Sequence, residues 1–96
     1  MLTQQHEDTY TEFYDSTHTN EYLDLKTELL VGLAAAMAMN CQPCTRYYLI
    51  QAKNADISKG EISEVLAKVM AVSAGQKRLQ MAEVLEKYEM DLDNYE

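Results

Sequence analysis

Glycine and proline are scarce in this chain of 96 residues, which contains three glycines and one proline. Both residues disfavour the interior of a helix, whereas alanine, leucine, methionine, glutamate, lysine and glutamine favour it and are abundant. The composition therefore predicts an all-α fold. A chain of this length forms a single domain, which we place at residues 1–96.

Long apolar runs and positive charge are lacking as well. The longest apolar stretch, "LLVGLAAAMAM" at residues 29–39, has 11 residues, whereas a membrane span needs about 20. The N-terminal stretch has no basic region followed by an apolar core, so we expect no signal peptide and a cytoplasmic location. Sixteen acidic and eight basic residues give a net charge of −8, which repels phosphate backbones. Neither a membrane nor nucleic acid is expected as a partner.

The apolar periodicity predicts five helices. Tyr10, Phe13 and Tyr14 share one face of the first helix. The second helix is apolar on every side, which in a short chain indicates that partner subunits cover it. Gly75 marks a break or bend after the fourth helix. The five helices span about residues 4–16, 25–39, 42–54, 59–74 and 76–90.

Local signals support these boundaries. Asp24 is a suitable N-cap for the second helix. Ser58 and Glu61 have the spacing of a capping box at the start of the fourth. The apolar positions of the last helix, among them Leu79 and Tyr88, are predicted to face inward.

The stretch that carries chemistry is "NCQPC", residues 40–44, in which Cys41 and Cys44 begin the third helix. The N–H groups at a helix start stabilise a thiolate, and the short loop lets the two sulfurs close into a disulfide. Reversible thiol–disulfide exchange has these requirements. Half of a metal site and a pair of inert buried thiols are the alternative interpretations.

Metal and cofactor sites lack further support. A closed zinc site needs about four ligands, and the two histidines, His6 and His18, lie more than twenty residues from the cysteines. The chain has no glycine-rich phosphate loop and no haem attachment motif. Neither a metal nor an organic cofactor is expected.

Residues 23–66 resemble the core of the carboxymuconolactone decarboxylase superfamily, in particular its small CxxC members related to alkylhydroperoxidase D. Four features carry the resemblance: "KT" before a very apolar helix, "NCQPC", a helix ending in "QAKNA", and the capped segment "ISKGEISEVL". The N-terminal helix, within residues 1–22, carries none of it and diverges from the family.

The resemblance implies a compact five-helix domain that assembles into a homotrimer or homohexamer. It also implies that Cys41 and Cys44 reduce peroxides or disulfides and are then reduced by a dithiol electron donor. Lactone decarboxylation is not implied, because the decarboxylases of the family do not depend on this cysteine pair.

Two positions depart from the family's peroxidase pattern. Tyr48 stands where the pattern has a histidine, and Leu29 stands where it has a glutamate, with Glu28 one residue away. Tyrosine titrates near 10, so only about 0.1% is ionised at pH 7 and Tyr48 is a poor general base. It can still donate a hydrogen bond to a thiolate. Glu28 and His18, from the preceding connection, are the candidates for replacing the proton relay.

Two functions follow from these residues. The first is a thiol–disulfide oxidoreductase or peroxidase-like antioxidant protein that uses the CxxC pair. The second is a non-enzymatic oligomeric member of the family that has lost the proton relay. The sequence favours the first, an enzyme with peroxiredoxin-type activity.

Overall fold

Four α-helices and one short 3₁₀ turn make up the chain, and the computed structural model describes all 96 residues. The absence of strands confirms the all-α prediction. None of the helices is both long and apolar enough to cross a membrane. The helices are α1 (Gln4–Ser16), α2 (Leu25–Ala38), α3 (Gln42–Asn54) and α4 (Lys59–Lys87), followed by the 3₁₀ turn Leu92–Asn94.

The predicted N-caps are confirmed. The Asp24 carboxylate accepts a hydrogen bond from the backbone N–H of Thr27 at 2.8 Å, which begins α2. At the start of α4, the Ser58 hydroxyl accepts from the Glu61 N–H at 3.1 Å, and the Glu61 carboxylate accepts from the Ser58 N–H at 3.1 Å. Each cap satisfies N–H groups that the first turn of a helix leaves without a partner.

A reversal at the end of α3 connects this helix to the core. Asp56 adopts a left-handed conformation with φ of 57°. The N–H of Ile57 then donates to the carbonyl of Ala52 at 3.0 Å, as in a Schellman motif. Ile57 and Ala52 pack with Leu29 of α2 in the hydrophobic core. The turn therefore both ends the helix and buries an apolar side chain.

Helix α2 is the centre of the fold and packs against both α3 and α4. Within the chain, however, it buries only one face, while Val31 on another face is 55% exposed. Its other faces are open within one chain, and their coverage by partner subunits stays a prediction. The buried residues are five: Leu29, Leu33, Ala36, Ala52 and Ile57.

The prediction of a separate fifth helix is wrong. Helix α4 runs without interruption through Gly75 for 29 residues, and no glycine has a positive φ. A glycine inside a helix costs only about 1 kcal/mol relative to alanine. The strong helix formers on both sides of Gly75 outweigh that cost.

The expectation of a compact domain is also wrong for the single chain. Its radius of gyration is 19.0 Å, whereas a compact chain of this length has about 12.5 Å. Helices α1 and α4 bury no residue. Leu79 and Tyr88, predicted to face inward, are 65% and 62% exposed. At about 1.5 Å per residue, α4 is roughly twice as long as α2, so its C-terminal half extends beyond any helix of the same chain.

Candidate functional site

The first cysteine is positioned by the junction of α2 and α3. Asn40 has a left-handed backbone with φ of 57°, which asparagine tolerates better than most residues. The N–H of Cys41 donates to the carbonyl of Ala36 at 2.9 Å, which closes the end of α2. The same Cys41 is the N-cap of α3. One residue therefore ends one helix and begins the next, and this fixes the direction of its side chain.

The two cysteines form a disulfide. Their sulfurs are 2.02 Å apart and their Cα atoms 5.3 Å apart. Cys41 Sγ also accepts a hydrogen bond from the N–H of Cys44 at 3.3 Å. Cys41 is half-buried and Cys44 is exposed, while Pro43 occupies the first turn, where its missing N–H leaves no bond unmade. The closed pair is therefore compatible with a regular first turn of α3.

A groove of about 980 Å³ begins at Cys41. This volume is in the range of sites that hold small organic molecules. Gln42 and Thr45, from the first turns of α3, contribute polar groups near Cys41. Farther along, the lining includes the apolar Met37, Leu49 and Ile50 and the cationic Arg46 and Lys53.

His18 and Glu28 are in contact although they belong to different segments. His18 Nδ1 lies 3.4 Å from Glu28 Oε1, and the two side chains are 28% and 12% exposed. The His18 ring also packs edge-on against Tyr14, with ring centroids 4.7 Å apart. The connection between α1 and α2 therefore folds back onto the first turn of α2.

Tyr48 lies against α2 where Gly32 leaves space for its ring. A Cβ added at Gly32 would overlap the Tyr48 ring. Tyr48 also packs against the hydrophobic core. Burial is the main cause that raises the pKa of Tyr48 above its usual 10.0, and the neighbouring Tyr14 and Glu28 add to the effect. The phenol is therefore neutral at physiological pH and keeps its O–H group.

A small cavity of about 240 Å³ brings Glu28, Gly32 and Tyr48 together. Neither cysteine lines it. Tyr48 is four residues after Cys44, which on a helix places the two side chains on neighbouring positions of one face. Glu28 and Tyr48 thus share this cavity, and His18 contacts Glu28. Of these candidate residues, Tyr48 follows Cys44 by about one helical turn in the sequence. Leu29, at the family's glutamate position, is buried in the core instead.

Three residues near the site escaped the sequence interpretation. Gly32 lies in an alanine-rich helix, and its contact with Tyr48 on α3 is not visible in a linear pattern. Arg46 and Lys53 recur at spacing seven, which is two helical turns, and this was the available signal. The structure contains no group of three or more histidine, cysteine, aspartate or glutamate side chains arranged to hold a metal ion.

The sequence of this chain matches the model of one protein family over most of its length. The model of the carboxymuconolactone decarboxylase family matches residues 4–87. The chain belongs to this family. The match extends beyond residues 23–66, on which the resemblance rests, and includes all of α1 and α4.

A solved structure has the same fold. It is the crystal structure of a protein from Methanobacterium thermoautotrophicum, a structural genomics target, with a TM-score of 0.79 and 23% sequence identity. The alignment covers 86% of this chain and 95% of that one. This family member therefore shares its architecture with an archaeal protein. No curated protein sequence gives a significant match.

Proposed function

We propose that this carboxymuconolactone decarboxylase family member is a cytoplasmic thiol–disulfide oxidoreductase with peroxidase-like activity. The observation that carries the proposal is the Cys41–Cys44 disulfide at the start of α3, beside an open groove. Small thiols keep cysteines reduced in the cytoplasm, so a close pair there is more often catalytic than structural.

Reduction of a disulfide substrate proceeds in two exchanges. The thiolate of one cysteine attacks a substrate sulfur, forms a mixed disulfide and releases the first substrate thiolate, which takes up a proton. The second cysteine attacks the mixed disulfide, forms the Cys41–Cys44 bond and releases the second substrate thiol. Two electrons pass from the protein to the substrate, and a dithiol donor restores the pair by the reverse exchange.

A hydroperoxide follows a parallel route. The thiolate attacks the peroxide oxygen, the O–O bond breaks, and an alcohol leaves while the cysteine becomes a sulfenic acid. The second thiol then attacks the sulfenic sulfur, which gives the same disulfide and one water molecule. The donor dithiol again supplies the two electrons.

Proton transfer in both routes is assigned to Glu28, His18 and Tyr48. Tyr48 donates a hydrogen bond that stabilises the thiolate of Cys44, one turn earlier on α3. His18, in contact with Glu28, takes the part of the histidine that the family's peroxidase pattern has in place of Tyr48. A carboxylate next to an imidazole orients the ring and stabilises its protonated form.

The test combines a redox equilibrium with turnover. Wild-type protein is equilibrated with glutathione buffers, and the fraction of Cys41–Cys44 disulfide is measured by mass spectrometry after alkylation. Reduction of a simple disulfide and of an alkyl hydroperoxide is then followed with a dithiol donor. We expect a two-electron transition and turnover that Cys41→Ser and Cys44→Ser each abolish. Turnover that persists in Cys41→Ser would refute the proposal.

Assembly into a homotrimer or homohexamer is proposed from the resemblance to the family, and the exposed surface area supports association. The chain exposes 8373 Å², whereas a folded monomer of 11.0 kDa exposes about 5600 Å². The excess of roughly 2,800 Å² per chain is the size of interface that obligate oligomers bury. Large apolar side chains on α4, such as Met70 and Leu79, are part of this exposed surface.

A non-enzymatic oligomeric role is the second candidate. It is favoured by Tyr48, which packs on the core and contacts α2 at Gly32, as a purely structural residue would. The turnover assay separates the two functions, since an oligomer without any cysteine-dependent rate in that assay would support the second candidate.

A further inference from the structure

The groove beside Cys41 carries positive charge although the chain is acidic. Its lining contains Arg46 and Lys53 and no acidic residue, whereas the whole chain has sixteen acidic and eight basic residues. Neither cation takes part in the two salt bridges of the chain. The lining between them along α3 includes the exposed apolar side chains of Leu49 and Ile50. The groove therefore presents apolar surface together with two cations that are unpaired within one chain.

The segment that follows α4, residues 88–96, has the complementary character. It contains four acidic residues and no basic residue. Its apolar side chains have no cover within the chain, since Leu92 is 53% and Tyr95 is 61% exposed. Acidic and apolar residues alternate in its first half: Glu89, Met90, Asp91, Leu92 and Asp93. Opposite charges and exposed apolar side chains on both surfaces are what an interface between them requires.

The length of α4 holds this segment away from the groove of its own chain. Helix α4 has 29 residues and spans about 43 Å, whereas α3 has 13 residues and spans about 20 Å. Only four residues connect the two helices, so the end of α4 lies roughly 15 Å or more from every residue of α3, whichever way α4 points. In this structure α4 packs on α2, and neither α4 nor the 3₁₀ turn approaches α3. A second copy is therefore the occupant that can bring the segment to the groove.

Helix α1 is the other acidic element with an exposed apolar face, and it fits the groove less well. At about 100° per residue, Asp8, Glu12 and Asp15 lie on the side opposite the aromatic residues. Tyr14, on the aromatic face, already contacts His18 of its own chain. Helix α1 therefore cannot turn its acidic and its aromatic side chains toward one groove together.

We propose that residues 88–96 of a second copy lie in the groove beside Cys41. The carboxylates of the segment bind the two groove cations, and its apolar side chains pack on the apolar lining between them. The docked segment covers Cys41, which lines the groove, and leaves open Cys44, which is exposed and lies outside the lining. A substrate or reagent from solution therefore meets Cys44 first. Docking rests on the association of chains that belongs to the proposed function, but it does not depend on turnover.

A photo-cross-link tests the contact in the full chain. p-Benzoylphenylalanine replaces Leu92, the protein is irradiated, and the linked peptides are identified by gel electrophoresis and mass spectrometry. We expect a product of two chains in which the probe is joined to α3. The matched probe, at the exposed Phe13 of α1, should give no product joined to α3. A cross-link to α3 from Phe13 instead, or one to α3 within a single chain, would overturn the proposal.

Charge reversal identifies the groups that hold the segment. Arg46→Glu/Lys53→Glu should lower the yield of the Leu92 cross-link about 10-fold, because like charges then face each other. Adding Asp93→Lys/Glu96→Lys to this variant should restore most of the yield, since opposite charges face each other again. A combined variant that recovers no yield would contradict a direct pairing of the two surfaces.

The matched control for the groove is Lys77→Glu/Arg78→Glu, which reverses the same two charges on α4, outside the groove lining. It should leave the yield of the cross-link unchanged. Equal losses in this control and in the groove variant would overturn the proposal, because a general charge effect would then explain both.

Access to the groove cysteine gives a second readout. In the reduced Cys44→Ser variant, the remaining cysteine should react with iodoacetamide about 10-fold faster when Asp93→Lys/Glu96→Lys is added, since the released segment no longer covers the thiol. Asp8→Lys/Glu12→Lys makes the same change of charge on α1 and should leave the rate unchanged. An equal rise in both variants would count against docking of the segment.

The outcomes separate docking from the proposed function. A stable monomer in light scattering would refute docking and assembly together. An oligomer in which the Leu92 probe is joined only to surfaces other than α3 would refute docking and leave the assembly standing. Absence of turnover would refute the proposed thiol–disulfide activity, while the cross-link would still decide whether the segment docks.

Discussion

Single residues determine how protons can move near the disulfide. Tyr48 occupies the position of the family's histidine, but a partly buried phenol cannot accept a proton at pH 7. His18, from the connection before α2, contacts Glu28 in the same region. We propose that His18 replaces the imidazole that the pattern lacks on α3.

The catalytic contribution of His18 can be measured directly. We expect His18→Ala to lower kcat/KM by about 100-fold, the usual contribution of a general acid or base. His6→Ala is the matched control, because His6 is the other histidine and is exposed on α1. An equal change in both variants would contradict the assignment.

The pKa of Tyr48 predicts an alkaline loss of stability. Because burial raises the pKa of Tyr48 in the folded state above 10.0, the stabilisation is fully present below pH 10 and is lost as pH rises through the folded value. Urea unfolding between pH 8 and 11 should show a steeper decline for wild type than for Tyr48→Phe. Tyr47→Phe, which alters the adjacent ring, should retain the wild-type slope.

At the scale of elements, the contact between α2 and α3 depends on one small residue. The Tyr48 ring occupies the space beside Gly32, and a methyl group there would overlap it. The same contact holds the candidate residues Glu28 and Tyr48 around one cavity. Packing and the arrangement of the site are thus coupled through these two helices.

Two glycine variants should have opposite effects on stability. We expect Gly32→Ala to lower the free energy of unfolding by about 1–3 kcal/mol, the usual effect of overpacking a core contact. Gly75→Ala should raise it by about 0.5–1 kcal/mol, because nothing lies near that position in α4 and alanine is the better helix former. Chemical denaturation of both variants is the measurement. Stabilisation by Gly32→Ala would show that the ring is free to move away.

For the whole molecule, the exposed apolar surface of α1 and α4 is the dominant feature. Neither helix buries a residue within the chain, and the aromatic face predicted for α1 leaves Phe13 67% exposed. Exposed apolar surfaces of this size are typical of interaction sites, and they support the proposed assembly.

The assembly predicts a defined mass in solution. Light scattering should give about 33 or 66 kDa for three or six chains of 11.0 kDa. Leu79→Glu, which places a charge on the exposed apolar face of α4, should shift the mass toward smaller species, since burying an unpaired charge is costly. Gln80→Glu, at the next position, adds the same charge and should leave the mass unchanged. A stable wild-type monomer would contradict the assembly.

Much of the secondary structure of this protein can be predicted from the sequence alone. The Asp24 cap, the Ser58–Glu61 capping box and the position of Cys41 at a helix start were predicted correctly, because each depends on atoms only a few residues apart. The bounds of α1 and α3 follow from local periodicity in the same way. The break predicted at Gly75 was wrong, because the free-energy cost of one glycine in a helix is small compared with the helix preference of its neighbours.

The tertiary structure decided which residues that are distant in the sequence lie close together. The contact of His18 with Glu28, the space at Gly32 for Tyr48, and the alignment of Arg46 and Lys53 along a groove at Cys41 all depend on how α2 meets α3. Local sequence specifies a helix and its ends, because hydrogen bonds within a turn are short-range. Which side chains face one another is set by the angle and register of packed helices, and that is a property of the whole fold.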